Sequence, residues 1–113
     1  MKQQYEREEE IMEVLKGFET CTTDKTQFKH RQHLTVAVAY LQTLPVDAAL
    51  TRMRTNLLRF LDHYGVPREK YSEEVTLFWL EQVSLQLQKV EPELSLAEKC
   101  NYVIEALKDV RSE

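Results

Sequence analysis

Residues 34–41 read Leu34-Thr35-Val36-Ala37-Val38-Ala39-Tyr40-Leu41, and the state assigned to this run decides the fold. Eight residues that are apolar nearly all round describe either a strand buried on both faces or a helix covered on most sides. Val36 and Val38 are β-branched and suit the strand. Length and context suit the helix: the pattern extends to about His30–Thr43, and helical spacing lies on both sides of it. The Leu44-Pro45 step closes the helix, because proline disfavours the α conformation in the residue before it.

Outward from this helix the same periodicity repeats. Downstream, Val46, Ala49, Leu50, Met53, Leu57, Phe60, Leu61 and Tyr64 form one apolar stripe over five turns, with Pro45 at its start and Gly65 past its end. Arg52, Arg59 and Asp62 lie off that stripe and are expected in solvent. A fourth helix over about Ser72–Lys89 has Ser72 as N-cap, Glu73 and Glu74 in its first turn, and Val75, Phe78, Trp79, Val83 and Leu87 as its buried side. Ser95-Leu96-Ala97-Glu98 is a capping box that opens a fifth helix with Leu96, Cys100, Val103, Ile104 and Leu107 inward. Upstream, Ile11, Val14, Leu15 and Phe18 mark a first helix over about Gln4–Lys16, and Glu19–Gln27 reads as a loop. The chain has only two glycines and three prolines. Gly17, Pro45, Gly65, Pro67 and Pro92 all fall between helical stretches, too little punctuation for an all-β domain. The fold expected is all-α, a single-domain bundle of about five helices over residues 1–113, mostly antiparallel because the connections are short.

At 113 residues with 42% hydrophobic and 30% charged side chains, the chain can build one core and is not disordered. No apolar run approaches the roughly 20 residues of a membrane span, and MKQQYEREEE is unlike a signal peptide, so no membrane partner is expected. Cys21 and Cys100 form no CxxC pair and suggest reduced thiols and a cytoplasmic protein. The net charge of −4 disfavours nucleic acid. That charge is uneven: residues 1–23 carry −3, residues 24–70 carry +4 and residues 71–113 carry −5. All three histidines sit in the positive middle. The segments either neutralise one another on packing, attract a small anionic ligand to the middle, or pair acidic with basic faces in a homodimer.

Phe28-Lys29-His30-Arg31-Gln32-His33-Leu34 is the stretch that carries chemistry. Histidines three apart share one side of a helix, and both project toward the inward side of the second helix near its N-terminus. A helix N-terminus disfavours the imidazolium, which leaves neutral rings able to bind a divalent metal when other elements add ligands. The same residues equally serve as ordinary helix-start histidines bonded to nearby carbonyls or carboxylates. His63, at the end of the third helix, reads as a C-terminal cap. Tyr71 and Ser72, at the head of the fourth helix, point inward by the ~100° step and join His30 and His33 as candidate ligand-binding residues. Glu73 is the carboxylate nearest in sequence for a metal set with His30 and His33, although the same step turns it away unless the first turn frays. A Cys21–His30 nucleophile pair and a stacking Phe78–Trp79 pair are weaker readings, the cysteine being expected in solvent and the aromatics in the core. No glycine-rich phosphate loop is present.

The same stretch resembles a family of small, uncharacterised bacterial helical proteins. Their shared pattern is aromatic-x-His-x-x-His-Leu, an Ala/Tyr-Leu helix, a Pro-led helix ending near Gly, then Tyr-His-Glu-Thr-x-Thr and an aromatic residue. Matching positions are Phe28, His30, His33, Leu34, Tyr40, Leu41, Pro45, Ala49, Gly65, Tyr71, Glu73, Thr76 and Trp79, about half the chain. The resemblance implies three histidines and a glutamate gathered between two helices, consistent with a metal site. Ser72 stands where the pattern has its third histidine, so this chain lacks that ligand. A site-free alternative is an interaction module that dimerises by burying apolar surface around Tyr40, Leu80 and Leu85.

Overall fold

The computed structural model describes residues 4–110. Five α-helices run in order among them: α1 (Glu8–Glu19), α2 (His30–Leu41), α3 (Val46–His63), α4 (Glu73–Leu87) and α5 (Leu96–Leu107). Single 3₁₀ turns at Lys25–Gln27 and Arg68–Lys70 interrupt the two polar loops. The architecture is the all-α single-domain bundle that the spacing predicts. No helix among the described residues is long and apolar enough to cross a membrane.

The 34–41 run is indeed helical, and it is the central element. Leu34, Thr35, Val36, Ala37, Val38 and Tyr40 are all buried, and α2 packs against each of the other four helices. Thr35 sits inside without cost because its hydroxyl donates to the Arg31 carbonyl at 2.9 Å and lies 3.0 Å from the Tyr5 hydroxyl. Tyr5 is not part of α1. It is pinned in extended backbone by a two-way bond with Asn101, its N–H donating to Oδ1 and its carbonyl accepting from Nδ2. The first helix therefore begins at Glu8, four residues later than expected, where Glu10 accepts from the N–H groups of Glu6 and Arg7.

Gly17 is a second departure. It lies inside α1, buried, and a side chain there would collide with the Thr23 hydroxyl. Glycine is placed here by that close approach and not by a helix end, so α1 continues to Glu19. Cys21, expected in solvent, is buried at the start of the following loop with φ of 58°. Tyr64 holds this loop down by donating to the Thr23 carbonyl at 2.6 Å. Cys100 is buried as well, and its thiol is pushed up to about 12 by desolvation, which makes it unreactive.

On the fourth helix the buried face departs from the expected stripe. Leu77-Phe78-Trp79-Leu80 is apolar on every side, so the run alone does not define a face. Leu80 and Val83 are the buried residues, Phe78, Trp79 and Leu87 are half-buried, and Val75 is 40% exposed. Of the three residues expected at a dimer face, Tyr40 and Leu80 lie in the core and Leu85 is 50% exposed.

Phe18, Phe28 and Phe60 form the junction of α1, the loop and α3. The rings of Phe18 and Phe28 stack at 4.5 Å with 5° between planes, and Phe60 tilts onto both at 5.6 and 5.2 Å. Phe18 is fully buried. Phe18→Ala is expected to cost about 3–5 kcal/mol, as large-to-small changes at buried aromatics do, read as a drop in the urea midpoint at unchanged slope. An unaltered midpoint would show that this junction does not carry the fold.

Candidate functional site

The two histidines of α2 come together at one pocket, but only one turns inward as the spacing predicts: His33 is half-buried, whereas His30, at the open start of the helix, is exposed. His30 is the first residue of the helix and His33 lies one turn on, the Lys29 N–H being satisfied by the Gln32 side chain at 3.0 Å. Both rings line a pocket of about 150 Å³. Its other walls come from two neighbouring helices in pairs four residues apart: Met53 and Leu57 on α3, Val75 and Trp79 on α4, with Thr76 beside them. Four residues is one turn, so each pair presents adjacent side chains from one face.

Aromatic edges set the ring positions. His33 meets Phe28 edge-on at 4.4 Å and 75°, and His30 meets Trp79 at 4.5 Å and 65°. Among the described residues neither imidazole has a hydrogen-bond partner, and no fully buried side-chain polar atom is left unpaired. The ring nitrogens therefore remain available to whatever enters the pocket. Burial, and secondarily the proximity of His30, lowers the His33 pKa to about 4. Desolvation lowers His30 as well. Both imidazoles are held toward the neutral form, as the α2 N-terminus also favours.

The head of α4 does not join them. Ser72 is the N-cap, its hydroxyl accepting from the Val75 N–H at 3.2 Å. Tyr71 donates to Glu73 at 2.7 Å, and Glu73 accepts a two-pronged bond from Arg54 at 3.0 and 2.8 Å. The Arg54 guanidinium, then the Tyr71 hydroxyl, hold the Glu73 carboxyl down to about 2. Tyr71, Ser72 and Glu73 are absent from the pocket lining, and no group of three His, Cys, Asp or Glu that could hold a metal occurs among the described residues. The polar residue that α4 adds to the lining is Thr76, whose hydroxyl donates to the Ser72 carbonyl at 2.8 Å. His63 ends α3, exposed, its ring edge-on to Tyr64 at 4.7 Å.

Sequence reasoning found the two imidazoles and missed the apolar walls. Met53 lies in the core as its stripe predicts, Leu57 and Trp79 pack against it, and all three also line the pocket. The signal available was their pairing at one-turn spacing on elements flanking α2, which is also what a packed core looks like. Comparison with family models, with curated proteins and with solved structures gives no match to this chain.

Depressed histidine pKa values link the site to stability. Unfolded, these rings titrate near pH 6.5; folded, His33 titrates at about 4. The unfolded chain thus binds more protons across that window, and stability is full above pH 6.5 and declines as pH falls toward 4. His33→Leu is expected to flatten the dependence of the urea midpoint on pH between about 5 and 6.5, where carboxylates titrate little. An identical slope in the variant would contradict this placement of His33.

Proposed function

We propose that the protein binds a compact, largely apolar small molecule carrying a hydrogen-bond donor, in the pocket between α2, α3 and α4. One observation carries the reading: two imidazoles held toward the neutral form and without hydrogen-bond partners among the described residues, His33 half-buried and His30 exposed, line a cavity whose other walls are apolar apart from Thr76. A neutral ring nitrogen accepts a hydrogen bond from an O–H or N–H, and a few such groups in an apolar pocket fix ligand orientation. The volume suits the size class, since dry engineered cavities of about 150 Å³ take up benzene.

The sequence also suggests a divalent metal or a small anion here. Neutral histidines are competent metal ligands, but two of them need completion by the incoming molecule or by water, because Glu73 is engaged by Arg54 and Tyr71. For an anion these rings supply no positive charge at neutral pH. Homodimerisation retains Leu85 alone of its three expected residues. Two unpaired, buried thiols support a reducing, cytoplasmic setting.

Trp79 lines the pocket and is the chain's single tryptophan, so its fluorescence reports occupancy. Phenol is expected to give a saturable change, benzene a weaker one. His30→Leu combined with His33→Leu should remove the preference for phenol. Val75→Phe, at an exposed wall residue whose enlargement strains no core, should abolish both responses. Absence of any saturable response in the folded wild type overturns the proposal.

A further inference from the structure

We propose that a second cleft, between the C-terminal end of α1 and the outer face of α3, binds a phosphate group. It shares no lining residue with the imidazole pocket and measures about 470 Å³, bounded by Glu19, Arg52, Thr55, Asn56 and Arg59. The four α3 residues fall at i, i+3, i+4 and i+7, so they form one strip along the helix. Arg52 and Arg59 stand two turns apart, roughly 10 Å along the axis, with the Thr55 hydroxyl between them. Both side chains are long enough to converge on a group held above Thr55.

Buried polar chemistry beneath the cleft fixes these donors. Asn56 is 7% exposed, an uncommon place for an amide in mid-helix. Its Nδ2 donates to the Tyr40 hydroxyl at 2.8 Å, and its Oδ1 accepts from Arg59 Nη1. The same Arg59 nitrogen donates to the Glu19 carbonyl at 3.3 Å, so both of these bonds fall on Nη1 and leave Nε and Nη2 without a partner among the described residues. Arg52 rests over the Tyr40 ring at 5.3 Å. Its Nε is 3.7 Å from the Glu19 carboxylate, too far for a hydrogen bond.

Glu19 is already occupied, accepting from the Tyr40 hydroxyl at 2.6 Å and from Asn56 at 3.5 Å. Two guanidiniums therefore face one carboxylate, and the cleft keeps a net positive charge. Guanidinium forks match phosphate oxygens, and donors that are held in place before binding lose little further freedom. Donors lining one cleft from three separate turns of α3 fit a tetrahedral oxyanion better than a planar carboxylate.

Calorimetric titration at low ionic strength tests the assignment with inorganic phosphate, glycerol phosphate and acetate. Saturable binding of both phosphates, at least tenfold tighter than acetate, is expected. Arg52→Gln and Arg59→Gln should each weaken it tenfold or more, while Arg54→Gln, whose guanidinium is bound to Glu73, should not. Arg59 also ties α3 to the end of α1, so the exposed Arg52 provides the variant that keeps its fold. No saturable heat with millimolar phosphate, acetate binding as tightly, or equal weakening by Arg54→Gln would overturn the proposal.

Discussion

The stacking of Phe28 on Phe18 is the contact on which the rest of the structure depends. Phe28 closes the ten-residue connection between α1 and α2, in which it and Cys21 are the buried side chains. Placing its ring against Phe18 and Phe60 brings the chain back over the α1–α3 junction. From there α2 starts where it must for its central run to be covered on most sides. Phe28 also meets His33 edge-on and covers part of the imidazole, leaving it half-buried. One aromatic side chain thus links the path of the loop to the protonation state of the site.

The loop that this stack anchors is held by close geometry and by many hydrogen bonds, among them those of the Thr22 and Thr23 N–H groups to the Gly17 carbonyl and of the Thr26 N–H to Asp24. Gly17 lets Thr23 approach α1, Cys21 adopts a left-handed backbone, and Tyr64 bonds the Thr23 carbonyl. On the other side of the same junction, Tyr40, Asn56, Glu19 and Arg59 form a chain of hydrogen bonds reaching from the core to the surface. Apolar and polar devices therefore flank the end of α1. The first turns a neutral imidazole toward an apolar pocket, and the second presents guanidiniums to solvent.

Much of the fold was legible from periodicity. The stripes of α3 and α5 are one-sided, their caps conform to local chemistry, and Ser95 and Glu98 form the reciprocal bonds expected of them. The central helix was legible because an eight-residue apolar run flanked by helices has few other places to go. Long-range contacts were not legible. Tyr5 leaves α1 because Asn101, 96 residues away, captures its backbone, and Gly17 stays helical because Thr23 needs the space. The histidine pair could be placed by helical geometry alone. Helical geometry also turns Glu73 away from the pair, but not onto Arg54 of a different helix, and Tyr40 and Leu80 look no different in sequence from surface apolar residues.

Nitrogen-15 NMR of the imidazole rings across pH tests the central claim most directly, because it reads the charge state of His33 beneath Phe28. The structure requires His33 to stay neutral down to about pH 4, with His30 also below the ordinary histidine range. A His33 resonance that titrates at 6.5 or above would mean that its ring lies in water, and the shielded pocket described here would not exist.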